Sequence, residues 1–430
     1  MSKRRILTVF IVVAIVLGYA ALPSRTQAQA TPTELTFWTF VQAHADYWTA
    51  SADLWNKANP DHQIKLTPTV YPWADMHSKL LLALQSGTGA PDMVDIEISK
   101  FSTFIKGDIH LQDITDLVDK VKDGLVASRL IYQWQGKQYA VDYHVGTEVM
   151  FYNKEVMDAA GVDIDKIKTW DDYIAAGKKV TKGDVWMTTL DTNGCRQGAA
   201  LMLMNGGGTY DKDGKLIIDS PKNAEALQFM ADLKLVNKIA EDAPGGNEES
   251  PDYYAALNAG KIASIWNPEW YIERFVDVNP KLSGKIAVRP MPVWSDKPGT
   301  FASAMGGGTG TAITDQIDSS KLQLARDFLQ FSKLTTDAGV RIWTKLGFDP
   351  IIKDAYKDPA VSKPLPYFNN EPVMNVIQSM QNNLASEYLG PSYPDVWNIM
   401  SSKVCSEILD KGAKPADELA DVKKQVEALQ

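Results

Sequence analysis

The sequence predicts an α/β protein of two domains, and three observations carry that prediction. The chain has 430 residues, too many for one ordinary hydrophobic core. From Glu34 to Ile98 strand-like and helix-like stretches alternate, the layout of a largely parallel sheet with helices packed on it. From about residue 148 to 298 a second α/β unit follows. Hydrophobic residues make up 45% and charged residues 23%, which supplies apolar material for two cores and gives no compositional reason for disorder. No repeat with a period of roughly 20–50 residues is visible, so solenoids and propellers are out.

The elements follow in order. Residues 1–30 stand apart from the fold. Lys3, Arg4 and Arg5 precede an apolar run from Ile6 to Leu22, and the segment closes on Ala28-Gln29-Ala30. That is the layout of a secretory signal peptide with its cleavage site. A retained anchor is the alternative, since the run is near the lower length for spanning a bilayer. No Cys follows it, which disfavours a lipid-anchored protein and favours a free periplasmic, extracytoplasmic one.

Residues 34–40 read as a strand and 46–58 as a helix with Trp48, Ala52 and Trp55 on one stripe, stopped at Asn59-Pro60. A strand at 64–69 leads to a helix at 72–85, with Trp73, Met76, Leu80 and Leu84 on one face and Gly87 as its stop. In the third strand, 91–98, Val94, Ile96 and Ile98 alternate with Asp95 and Glu97. Ligands of such sheets lie beyond the carboxyl ends of the strands. This singles out Phe40, Gln42 and His44 in the first strand–helix loop, and Glu97 and Ser99 after the third strand.

Residues 139–152 read as strand with a turn at Gly146. Asn153 and Thr169 are helix caps, and Ser220-Pro221 and Ser250-Pro251 open two more helices. Residues 262–266 form a short strand ending on a core Trp266. Gly306-Gly307-Gly308 leads into a strand at 309–313, helices follow at about 321–335 and 336–346, and 354–430 reads as helices with loops.

Residues 1–30 hold four Lys/Arg and no acid, so the remainder carries 40 basic against 53 acidic residues, a net charge of −13. That excess argues against nucleic acid or an anionic membrane surface as partner. The two cysteines, Cys195 and Cys405, could pair in an oxidising compartment or stay as two buried thiols; the sequence leaves both open. The five His lie between His44 and His144 without metal-ligand spacing, so no metal is expected.

Six motifs in order now match one family. They are Leu35-Thr36-Phe37-Trp38; Lys79-Leu80-Leu81 through Ser86-Gly87 to Ala90-Pro91-Asp92-Met93-Val94; Tyr139-Ala140-Val141 with Phe151-Tyr152-Asn153-Lys154; Ala259-Gly260-Lys261 with Asn267-Pro268-Glu269-Trp270; Gly306-Gly307-Gly308; and Gly347-Phe348-Asp349-Pro350. Together they resemble the extracellular solute-binding proteins of carbohydrate ABC importers, the family of the maltose- and arabino-oligosaccharide-binding proteins. The resemblance implies a two-lobed periplasmic binding protein fold, maltose-binding-protein-like, with three interlobe crossovers near Tyr143, Thr300 and Phe348. One lobe would comprise 31–143 and 301–348, the other 144–300 and 349–430. A sugar or oligosaccharide would lie between them and pass to the membrane permease subunits of an ABC importer. No cofactor and no catalytic residue is implied, and the chain is expected to act as a monomer.

A sugar site needs flat aromatic rings for the apolar ring faces and planar polar groups for the hydroxyl rim. Trp270 follows a strand, lacks a periodic apolar stripe and occupies a position that often stacks on sugar in the family; a core Trp is the bland alternative. Tyr143 and His144 stand at the first crossover, where relatives often carry Trp-Asp, and His144 replaces the acid. Arg196 opens a helix from a Gly-flanked loop and would offer a fork of donors or form a surface ion pair. Gly307 lies in a run without the Lys-Ser/Thr of a phosphate loop, so close backbone approach or a hinge is expected. Two other readings are open at this level: a receptor of the same fold for another solute such as a polyamine or metal, and an exported glycoside hydrolase, which would need two carboxylates across a cleft.

Overall fold

The computed structural model describes residues 31–126, 131–295 and 297–429, so the signal-like segment lies outside the described residues. The chain begins with β1 (Thr33–Thr39), α1 (Gln42–Ala58), β2 (Ile64–Val70), α2 (Trp73–Ser86) and β3 (Met93–Glu97). α1 starts four residues before the predicted position. Val41 at its N-cap is extended and no side chain caps the helix, so the sequence signal that marks a helix start is missing. α2 closes on Gly87 at φ 73, the left-handed stop that glycine permits.

There follow β4 (Ala140–Asp142), β5 (Glu148–Asn153), β6 (Thr188–Leu190), α3 (Arg196–Met204), β7 (Ala240–Asp242), β8 (Ser264–Pro268) and β9 (Ile286–Arg289). The last part holds β10 (Ser303–Ala304), β11 (Thr309–Ile313), α4 (Ser319–Lys333), α5 (Thr336–Leu346), β12 (Leu384–Ala385) and α6 (Tyr393–Ile399).

One sheet has the order β2-β1-β3-β11-β4. β1 runs parallel to β2 and β3, as predicted, but β11 is antiparallel to both β3 and β4. It reaches the sheet from the other half of the molecule, so no helical crossover forces it parallel. The second sheet, β8-β5-β9, is antiparallel throughout, and β6-β7 and β10-β12 are short parallel pairs. The second unit is therefore α/β with an antiparallel centre.

α2 buries Met76, Leu80 and Leu84 against Val94 and Ile96 of β3. Trp170 and Trp266 pack with the C-terminal helices, and a third cluster runs continuously from Leu35 and Trp48 to Phe151 and Phe275. Trp48, Trp170 and Trp266 are fully buried; truncating such a ring costs about 3–5 kcal/mol.

β3 is central and covered on both faces, so its alternation hides a buried acid. Asp95 accepts hydrogen bonds from the hydroxyls of Thr39 (2.8 Å), Thr311 (2.6 Å) and Tyr143 (3.0 Å), and meets His44 Nδ1 at 2.9 Å. Burial works against its charge, but the His44 contact and the nearby Lys333 outweigh that and hold the carboxyl below its usual range. Lys333 is itself fully buried; it donates to the Val141 carbonyl at 3.2 Å and lies over the Tyr143 ring.

The chain passes between the two sheets three times, and the passes touch one another. Strand partners change between β4 and β5, between β10 and β11, and after α5. Asp349 fastens the knot. One carboxylate oxygen accepts from the amides of Val145 (2.7 Å) and Gly146 (3.0 Å), the other from the Thr147 hydroxyl (2.6 Å). The Gly306 amide donates to the Gly146 carbonyl at 2.7 Å. A Cβ on Gly306 would stand 2.4 Å from Glu148 Oε1 and 2.5 Å from Pro268 Cγ, so only glycine fits there.

Candidate ligand-binding cleft

A cleft of about 730 Å³ opens beside the three crossovers and draws its lining from both sheets and from α6. Its size lies within the usual range of about 300–1,000 Å³ for small-molecule sites. On one side stand Phe40, the β3 end at Glu97 and Ser99, and Trp73 at the start of α2. On the other stand Arg196, Trp270, Glu387, Tyr393 and Trp397. His144, Gly307 and Phe348 form the floor from the crossovers.

Eight of the ten predicted residues line this cleft, and two do not. Gln42 lies on the exposed face of α1 and donates to Asp46 at 2.8 Å, an i,i+4 pair of the helix itself. Its placement in a loop was wrong because α1 starts early. Tyr143 has no exposed surface; its hydroxyl accepts from Trp48 Nε1 at 2.5 Å and serves Asp95, so it holds the core beneath the cleft and does not reach ligand. His44 does line the cleft but stacks on Tyr143 at 4.2 Å and is committed to Asp95.

Glu97 and Ser99 form one polar unit. The Ser99 amide donates to Glu97 Oε2 at 3.0 Å, and its hydroxyl donates to the same oxygen. The Glu97 amide donates to His77 Nε2 at 3.1 Å, and His77 Nδ1 meets the Trp73 carbonyl at 2.8 Å. A ring accepting at Nε2 and donating at Nδ1 is neutral, in line with burial pushing His77 down to about 4.

On the facing wall the Trp270 indole donates to the Gly306 carbonyl at 3.1 Å, and the Arg196 guanidinium lies over its ring at 5.5 Å. Arg196 also bonds Glu248 at 3.0 Å and approaches Glu249 at 3.7 Å. Burial opposes its charge, but Glu248 and Glu249 more than restore it and drive its pKa above the usual value. Arg196 is thus ion-paired to a buried carboxylate and also lines the cleft.

His144 stacks on Phe348 at 4.5 Å and meets Glu269 Oε1 at 2.5 Å. With Asp349, His144 and Glu269 bring three metal-type donor atoms within 4.8 Å of one another. Asp349 already receives three donors and His144 already engages Glu269, so the cluster is hydrogen-bonded within the protein.

The sequence reading missed Trp73, Lys100, Glu148, Glu387, Tyr393 and Trp397. Trp73 was placed on the buried face of α2 but is 41% exposed at the cleft rim, under Lys100 Nζ at 4.6 Å. Tyr393 and Trp397 are an i,i+4 aromatic pair with ring centroids 6.1 Å apart; that spacing was readable, but it looks the same as a core stripe.

Burial raises the carboxyls of Glu97 and Glu387 to about 7 and Glu148 well above its usual range. A raised carboxyl keeps its proton in the fold where the unfolded chain has lost it, so stability falls as pH rises from about 4.5 to about 7. Burial likewise raises Glu248 to about 7; His77, between about 4 and 6.5, and Lys333, held well below its usual range by burial, act oppositely, two groups against four. Calorimetry should therefore give a higher unfolding midpoint at pH 5.5 than at pH 8. A midpoint that climbs steadily over that interval would contradict this assignment.

Residues 42–338 match the family model described as bacterial extracellular solute-binding protein. The chain belongs to that extracellular solute-binding family. This solute-binding protein is 40% identical to the arabinooligosaccharide-binding protein of Halalkalibacterium halodurans over 402 residues, covering 92% of this chain and 89% of the relative. It is 39% identical to the arabinooligosaccharide-binding protein of Bacillus subtilis, covering 90% of each. Among solved structures, maltose-bound MalE3 of T. maritima superimposes with a TM-score of 0.69 at 19% identity, covering 92% of this chain and 100% of that one. The solute-binding protein therefore has the two-lobed, maltose-binding-like fold that its six motifs implied.

Proposed function

We propose that this solute-binding protein captures a short arabino-oligosaccharide in the cleft and delivers it, intact, to the permease of an ABC importer. The observation that carries the reading is the similarity to two arabinooligosaccharide-binding proteins along nine-tenths of the chain. The cleft chemistry supports it. Trp270 offers a ring face on one side, and Glu97 with Ser99 offers a polar rim for hydroxyls on the other, beside Phe40 and Trp73. Such a set suits neutral sugars, whose hydroxyls both donate and accept.

In this reading the N-terminal segment directs export and the mature protein works outside the cytoplasm as a monomer. One lobe comprises 31–143 and the segment from the glycine run to Phe348; the other comprises 144–305 and 349–430. The second boundary is drawn at Gly306–Gly308 because β10 pairs with β12 and the Ser303 hydroxyl donates to the Glu148 carbonyl at 2.7 Å. The lobes close on the sugar by bending at the three crossovers.

Calorimetric titration with arabinotriose, maltotriose and galactobiose tests this. Arabinotriose is expected to bind at least a hundredfold more tightly than the others and to be recovered unhydrolysed. Equal or better binding of maltotriose, or release of arabinose, would overturn the proposal.

A further inference from the structure

Cys195 and Cys405 are joined by a disulfide across a sequence separation of 210, with Cα atoms 5.6 Å apart. Both are fully buried, and pairing decides between the two states that the sequence left open. The bond joins two elements that share one wall of the cleft. Cys195 is the N-cap of α3, and the next residue is Arg196, lying over the Trp270 ring. Cys405 continues the helical run that begins with α6, which places Tyr393, Trp397 and Ser401 in the cleft. Between α6 and Cys405, Met400–Val404 form a π turn, a helix irregularity frequent at functional sites.

Cys195 has φ 59 and ψ 20, a left-handed conformation for a residue with a side chain. Such a backbone persists only where its surroundings hold it. Asp191 holds the loop before it, accepting from the amides of Asn193 (2.8 Å) and Gly194 (2.7 Å). The covalent tie to Cys405 holds Cys195 itself. Without the bond, Cys195 is expected to turn to an ordinary φ and to shift the first turn of α3, against the holds that Asp191 (3.4 Å to the Arg196 amide) and Glu248 (3.0 Å to its guanidinium) keep on Arg196.

We propose that the Cys195–Cys405 disulfide is a positioning element of the ligand site: it fixes Arg196 and Trp270 beside the Tyr393–Ser401 helix within one wall of the cleft, so ligand affinity depends on the bond being formed. The inference rests on the reading of this cleft as a sugar site. Nothing in it concerns the lobe that contributes Glu97.

The test compares the natural chain with C195A/C405V, in which valine refills the sulfur volume, and with C405A as the milder change should that pair fail to fold. Arabinotriose is titrated well below each protein's unfolding midpoint, with and without R196A. Loss of the bond is expected to weaken binding at least tenfold. R196A should weaken binding about tenfold in the bonded protein and less than twofold in the bond-free one, because the guanidinium is already displaced. Affinity within twofold of the natural chain, or an equal R196A effect in both backgrounds, would overturn the proposal and leave the bond a staple of stability alone. Should the bonded natural chain bind no arabinotriose, the sugar reading fails, and amide exchange at residues 196–199 decides the positioning claim. Faster exchange without the bond supports it and unchanged exchange refutes it.

Discussion

Replacing Trp270 by alanine is expected to weaken arabino-oligosaccharide binding about a hundredfold while leaving the fold intact. A hundredfold is about 2.7 kcal/mol, the scale of a buried aromatic anchor at the centre of an interface. Trp270 is half-buried, two residues past β8, and packs on the edge of the core while lining the cleft, so its removal takes chiefly a wall of the cleft. The loss has two sources. The ring face goes, and so does the indole bond to the Gly306 carbonyl that ties this wall to the second crossover. Trp270→Phe should recover part of the affinity, since it keeps a ring and loses the N–H. Titration calorimetry beside a thermal melt separates binding from folding. An unchanged affinity for Trp270→Ala would show that the ring is scaffold.

Asp349→Ala should be the most damaging single change to stability among the crossover residues. It strands the Gly146 amide and the Thr147 hydroxyl, both buried, and leaves the Val145 amide only its 3.2 Å bond to the backbone carbonyl of residue 349. A buried polar group left without its partner costs about 1–3 kcal/mol, so a loss of about 4 kcal/mol is expected. Asp349→Asn, which keeps one acceptor oxygen, should lose about half as much. Urea titration of the three proteins reads both differences. A shift below about 0.5 kcal/mol for the alanine variant would mean that the crossovers hold without this knot.

Much of this architecture was legible in the sequence. The apolar stripes of α1 and α2, the glycine stops and the Ser/Thr/Asn caps are local signals, and they placed the elements within a few residues. α1 was misjudged where the local signal is absent, since no capping side chain marks Gln42, and that error carried Gln42 into the site. The buried acid Asp95 was invisible for a different reason: alternation reports one wet face, and β3 has none. Tyr143 was assigned to ligand because it stands at a crossover. Only the three-dimensional arrangement shows it turned inward to Asp95 and Lys333. The wall formed by Tyr393 and Trp397 was hidden because a helix displays the same spacing whether it faces a core or a cleft.

The antiparallel strand β11 sits in the interior of its sheet, between β3 and β4. Its residues are synthesised more than two hundred positions after those of β3. A nascent chain lacking Thr309–Ile313 therefore has a gap where Ile96 and Asp142 should find partners across Gly310. Bringing such distant segments together carries a loop-closure cost that local contacts do not. The five-stranded sheet is thus a late-closing structure, complete only once Thr309–Ile313 has been made. The order in which the chain is made delays the fold until most of the chain exists.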